Sequence, residues 1–178
     1  ADALIGAAYG SAGERCMAIS VAVAVGSETA DKLIAGLKSK MHDLKVGNFD
    51  NSNNDFGPLM TKEHMEKVKH YISSAEEQGA AIIVDGRSVD VKGCENGFYV
   101  GGTLIDSVEA SMKSYKEEIF GPVLSIMKFK TVDEVIKRAN DSKYGLASGV
   151  ITNDLNNTIK ITNKMQSGSV FVNSWASF

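Results

Sequence analysis

With 178 residues, 43% of them apolar, and a formal charge of -3, the chain has the make-up of a globular domain with a sizeable core, and without a basic block it is not expected to bind nucleic acid. No apolar run approaches the roughly 18 residues of a membrane span, and no basic-then-apolar leader opens the sequence, so no membrane partner is expected. Two cysteines make no disulfide framework, which points to a reducing compartment: the cytoplasm, or the mitochondrial matrix in a eukaryote.

In chain order, the stretch Ala7 to Val25 comes first. Gly10, Ser11 and Gly13 allow a tight turn, and the apolar run from Ile19 to Val25 reads as a short buried strand. Cys16 therefore falls where a loop or helix end feeds into a sheet. Backbone N–H groups at such a place favour a thiolate and later hold an oxyanion, which a cysteine attacking a carbonyl requires. Arg15 beside it favours the thiolate further. A buried cysteine acting only as a small hydrophobe fits the same stretch.

Ser27 or Thr29 is placed to cap a helix that turns Ala30, Leu33, Ile34, Leu37 and Met41 to one face, with His42 at its last turn as a surface residue. Gly47 to Pro58 is a polar connection. Thr61 to Gln78 predicts a second amphipathic helix with Met65, Val68, Ile72 and Ala75 inward, a Glu63 to Lys67 pair outward and Gly79 at its end. His64 and His70 are six residues apart and share no helical face, so no metal site is expected.

Ala80 to Val84, Phe98 to Ile105 and Val123 to Phe129 read as strands, with Cys94 in an intervening loop. Thr131 to Asn140 opens with the capping box TVDE and buries Val132, Val135, Ile136 and Ala139. A strand within Tyr144 to Thr152, a helix from Asp154 through Gln166 and a last strand Ser169 to Asn173 complete the pattern. Strands alternating with helices predict an α/β fold: a mostly parallel sheet flanked by helices, with right-handed crossovers.

The segment AAYGSAGERCMAISVAVAV around Cys16 and KEEIFGPVL, Lys116 to Leu124, together resemble the aldehyde dehydrogenase superfamily. Further similar stretches follow in the family's order: KVGNFD and GPLM within Lys45 to Met60, Gly97 to Ile105, YGLASGV from Tyr144, and SGSVFVNSW from Ser167. The resemblance implies that Cys16 is the nucleophile and that Glu118 and Phe120 contact the nicotinamide ribose and ring of NAD or NADP. A planar carboxylate accepts well from two ribose hydroxyls. By the same resemblance His64, where many members have glutamine, and Lys67 approach the adenosine ribose; a solvated helix face is the other reading of both. The resemblance also implies that Asn173 opens a segment bordering the substrate tunnel, which Trp175 and Phe178 would line; a disordered chain end is the other reading of these two.

Family members are much longer, so residues 1–178 are expected to be the catalytic, cysteine-bearing domain, with the NAD-binding and oligomerisation parts absent and little activity alone. No GxGxxG opens a helix here. The full-length protein is expected to be a homodimer or homotetramer. The early segment GAAYGSAGERCMA is most similar to members that oxidise methylmalonate semialdehyde and pass the acyl group to coenzyme A. In them Arg15 would pair with a substrate carboxylate, a task suited to a planar donor fork. The late segment resembles the hydrolytic, broad-specificity members instead. Two other classes remain open: a cysteine hydrolase, which needs a histidine beside Cys16, and a non-catalytic interaction domain that keeps the fold.

Overall fold

The computed structural model describes residues 1–175 and contains two sheets. The larger holds β1 (Val21–Val25), β2 (Ala81–Val84), β3 (Thr103–Asp106) and β4 (Val123–Phe129) in the order β1-β4-β3-β2. β4 is parallel to β1 and to β3, and β2 closes one edge antiparallel to β3. A central parallel strand is covered on both faces, and β4 accordingly buries every residue from Val123 to Met127. The fold class is α/β, as the alternating pattern predicts. β3 starts later than the sequence suggests because residues 98–102 run past the 85–87 turn, where the Gly101 N–H donates to the Gly86 carbonyl.

Helices α1 (Asp2–Tyr9), α2 (Ser27–His42) and α3 (Lys62–Glu77) precede β2, and α4 (Lys113–Lys116), α5 (Val132–Asn140) and α6 (Leu155–Thr162) follow β3. α2 buries Ala30, Leu37 and Met41 at the expected spacing, but Ser27 and Thr29 lie inside it and its N-cap is Gly26, with no side-chain cap. In α3 the Thr61 hydroxyl accepts the His64 N–H as a cap should, and Gly79 ends the helix at a φ of 97°. Glu63 and Lys67 do not pair; the Lys67 ammonium lies 5.7 Å from the Tyr71 ring centroid instead. α5 has the predicted capping box, although only Ile136 of its apolar set is fully buried. Leu37, Val68, Ile72, Leu104, Ile105, Leu124 and Ile126 form the sealed centre of the core. Tyr9 ties α1 to it, its ring buried and its hydroxyl donating to the Thr103 carbonyl at 3.0 Å.

β5 (Ala147–Val150) and β6 (Ser169–Val172) form the second, two-stranded parallel sheet, joined through α6. α5 holds this unit: Asn140 donates to the Lys164 carbonyl at 2.7 Å and accepts the Gln166 N–H at 2.9 Å. These two bonds draw the chain out of the helical path, which is why α6 stops at Thr162 instead of reaching Gln166. No helix of the described residues is long and apolar enough to cross a membrane.

Candidate active site

Strand register brings the cysteine loop and the KEEIFGPVL motif together. Val21 pairs with Ser125 across parallel strands β1 and β4. Cys16 lies five residues before Val21, and Phe120 lies five before Ser125. Both segments therefore emerge side by side at the amino end of the sheet. Cys16 is exposed in a turn closed by the Ala18 N–H on the Arg15 carbonyl, 3.0 Å, and its own N–H bonds to no described residue.

The approach to that turn is left-handed at Ser11, Ala12 and Gly13, with φ of 53°, 54° and 70°. For the two residues with a Cβ this costs roughly 1–2 kcal/mol each, so the surroundings must enforce it. Gly13 shows how. A Cβ there would lie 2.2 Å from the Gly121 carbonyl oxygen, so the loop fits against the motif only as bare backbone. On the other side the Ile19 N–H donates to the Ala7 carbonyl at 3.0 Å.

In the motif, Ile119 is buried and acts as the anchor that turns Glu118 and Phe120 outward on either side. Glu118 carries no hydrogen bond to a described residue, leaving both carboxylate oxygens free to accept. Phe120 is 37% exposed and left-handed, φ 57°. Glu117 faces elsewhere: it accepts the Tyr71 hydroxyl at 2.6 Å, and this bond, more than burial, pushes the Tyr71 phenol up to about 12. An exposed carboxylate beside an exposed aromatic ring fits a ligand with paired hydroxyls and a flat ring.

The remaining expected residues are placed as follows. Arg15 donates from Nη2 to the carbonyls of Gly6 at 2.7 Å and Ala7 at 3.5 Å, at the negative end of α1, and its Nε is buried without a partner. Lys67 is exposed on α3. Asn173 braces the exit of β6, accepting the Thr152 N–H and donating to the Thr152 carbonyl, both at 2.9 Å. Trp175 packs on Phe171 with ring centroids 5.1 Å apart and covers Gly149. Asn173 and Trp175 thus belong to the second sheet, and Phe178 lies outside the described residues. A surface hollow lined by Tyr115, Lys116, Arg138 and Lys143 includes none of these side chains.

Two contacts have no signature in the sequence. His64 meets the Phe120 carbonyl, 56 positions away, and Glu14 accepts the Met60 N–H, 46 positions away.

This is a cysteine-bearing α/β domain whose thiol turn and carboxylate–phenylalanine strip share the amino end of a mostly parallel sheet. The model of the aldehyde dehydrogenase family matches residues 1–178, and the chain belongs to that family. Malonate-semialdehyde dehydrogenase of Pseudomonas aeruginosa is 47% identical over 172 residues, 97% of this chain and 35% of that protein. The mouse mitochondrial methylmalonate-semialdehyde/malonate-semialdehyde dehydrogenase, named as acylating, is 44% identical over 96% of this chain and 31% of its own length. A crystal structure from Sinorhizobium meliloti 1021, complexed with NAD and assigned as a methylmalonate-semialdehyde dehydrogenase, has a TM-score of 0.95 at 43% identity, over 97% of this chain and 35% of that one. The chain spans about a third of the length of these relatives.

Proposed function

We propose that residues 1–178 are the catalytic, cysteine-bearing part of an NAD(P)-dependent dehydrogenase that oxidises malonate or methylmalonate semialdehyde and passes the acyl group to coenzyme A. The observation that carries this reading is the register-set neighbourhood of the Cys16 turn and the Glu118 to Phe120 strip. The Cys16 thiolate attacks the aldehyde carbon, and as the C–S bond forms the C=O π bond breaks, leaving the former carbonyl oxygen of the thiohemiacetal as an oxyanion. The Cys16 N–H, which bonds to no described residue, would stabilise it. Glu118, Phe120 and Lys67 would hold NAD, which when bound supplies the hydride acceptor and leaves the carbon on Cys16 at the oxidation level of a thioester. The thiol of coenzyme A then takes the acyl group and frees Cys16. Arg15 is assigned to the carboxylate of the substrate through the part of its guanidinium not engaged by the Gly6 and Ala7 carbonyls, and Asn173, Trp175 and Phe178 to the border of the substrate path.

The late segment favours a second reading, in which water is the acyl acceptor. The two separate in one assay of the full-length polypeptide, NADH formation from malonate and methylmalonate semialdehyde with and without coenzyme A. A coenzyme A-dependent rate supports the first reading, and a rate indifferent to it the second. Cys16→Ala is expected to abolish NADH formation, a fall of at least about 10³-fold; retained activity refutes both. The 178-residue segment alone is expected to form no NADH. The full-length enzyme is assigned to the cytoplasm or mitochondrial matrix as a homodimer or homotetramer, which light scattering would test.

A further inference from the structure

His64 stands on the polar face of α3, yet its side chain is only 19% exposed. Its Nε2 lies 2.6 Å from the Phe120 carbonyl oxygen, and because a carbonyl can only accept, Nε2 carries the proton and donates it. Glu14, two residues before Cys16, places Oε1 3.5 Å from the same nitrogen and accepts the Met60 N–H at 3.3 Å. One imidazole thus touches the cysteine loop and the carboxylate–phenylalanine strip, and stands one turn from the entry to α3.

We propose that His64 is a positioning residue that holds Phe120 in its outward, left-handed conformation for the nicotinamide end of the cofactor, an inference that rests on the dehydrogenase reading. A phenylalanine at a φ of 57° is strained and persists only where neighbours fix the backbone on both sides. α3 supplies two of those fixings from residues one turn apart on the same face. Val68 packs against Gly121 so closely that a Cβ on Gly121 would lie 2.7 Å from its Cγ2, and His64 takes the carbonyl of the preceding residue. Together they set the plane of the peptide joining Phe120 to Gly121, and with it the direction of the ring. The Glu14 carboxylate stands beside the same nitrogen at 3.5 Å, and its own hydrogen bond is to the Met60 N–H. His64 acts through Phe120 and not through the contact with the adenosine ribose that the resemblance implies for its position, so the loss of NAD affinity on removing it is expected to vanish in a Phe120→Ala background, and a loss that persists there overturns the proposal.

The test uses the full-length polypeptide with His64→Ala and His64→Gln. NAD affinity is measured by titration calorimetry without aldehyde, alongside steady-state kinetics and thermal unfolding. H64A is expected to raise the NAD Kd and the KM for NAD about five- to tenfold, with the KM for the semialdehyde within about twofold of wild type. H64Q, whose amide N–H occupies the place of Nε2–H, is expected to recover NAD binding to within about twofold. If H64A does not fold, His64→Asn, too short to reach the carbonyl, replaces it. Unchanged NAD affinity in H64A, with or without a lower Tm, overturns the proposal, as does an H64Q as impaired as H64A. A wild-type protein that binds no NAD overturns the dehydrogenase reading as well, an outcome distinct from a wild type and an H64A that bind it alike.

Discussion

Tyr71 connects the polar edge of the motif to α3 through a single hydroxyl. It donates to Glu117, and the phenol stays protonated up to about 12 in the folded protein against an ordinary 10. In the unfolded chain that bond is absent, so as pH rises the unfolded state loses its proton first. The contribution is therefore complete below pH 10 and is lost as pH climbs from 10 to about 12. Tyr71→Phe is expected to cost ~1 kcal/mol at pH 8 and to narrow its deficit against wild type across that window, read by urea unfolding at each pH. A difference that stays constant from pH 8 to 12 contradicts the bond. The comparison must be a difference because burial pushes Tyr9 in the same direction. At this scale the sequence identifies the outward pair Glu118 and Phe120 through the motif that flanks them, and nothing local distinguishes Glu117 as the partner of Tyr71, since the bond spans 46 positions.

Among the elements, those whose boundaries are written in adjacent residues are the legible ones. Thr61 and Thr131 cap α3 and α5 by accepting N–H groups three positions on, and β4 is a mostly apolar stretch between Pro122 and the polar pair Lys130 and Thr131, so each has the bounds its pattern implies. The 11–13 turn is legible only in part. Glycine marks a bend, but what holds Ser11 and Ala12 left-handed is the Gly121 carbonyl seated on Gly13, about a hundred residues away in the chain. Gly13 and Gly79 separate space from conformation as causes. Both have positive φ, 70° and 97°, but nothing lies within 4 Å of a Cβ on Gly79. Gly79→Ala is expected to cost ~1–2 kcal/mol from backbone strain alone. Gly13→Ala adds a backbone clash and is expected to cost more than ~3 kcal/mol, or to expel the loop from the motif. Chemical denaturation of the two variants measures this, and equal losses would show that the loop is not seated as described.

For the whole molecule, periodicity predicts the number and direction of most strands but not their partition. Six strand segments read as one sheet; the structure divides them four and two, because side-chain alternation says which face is buried and nothing about which strand lies alongside. The smaller sheet consequently keeps an apolar flank: Tyr144, Leu146, Ile151, Leu155 and Ile159 are all exposed, Leu155 at 70%. Parallel strands are ordinarily covered on both faces, and here these apolar side chains meet solvent. The 178-residue segment is expected to enhance the fluorescence of anilinonaphthalene sulfonate. Leu155→Lys with Ile159→Lys should reduce that signal without lowering the Tm by more than a few degrees, since neither side chain is in the core. A signal unchanged by the pair would place the dye elsewhere.

The seating of Gly13 against Gly121 also fixes when the thiol's surroundings come into being. Its two halves are separated by β1, α2, α3, β2, β3 and α4, and closing so long a loop is an entropic cost met only when β1 docks on β4. During synthesis Cys16 leaves the ribosome long before Phe120 does. Until the later segment arrives, Cys16 has neither the Gly121 carbonyl nor the Glu118 to Phe120 strip beside its loop, and a polypeptide halted midway carries the thiol without those neighbours.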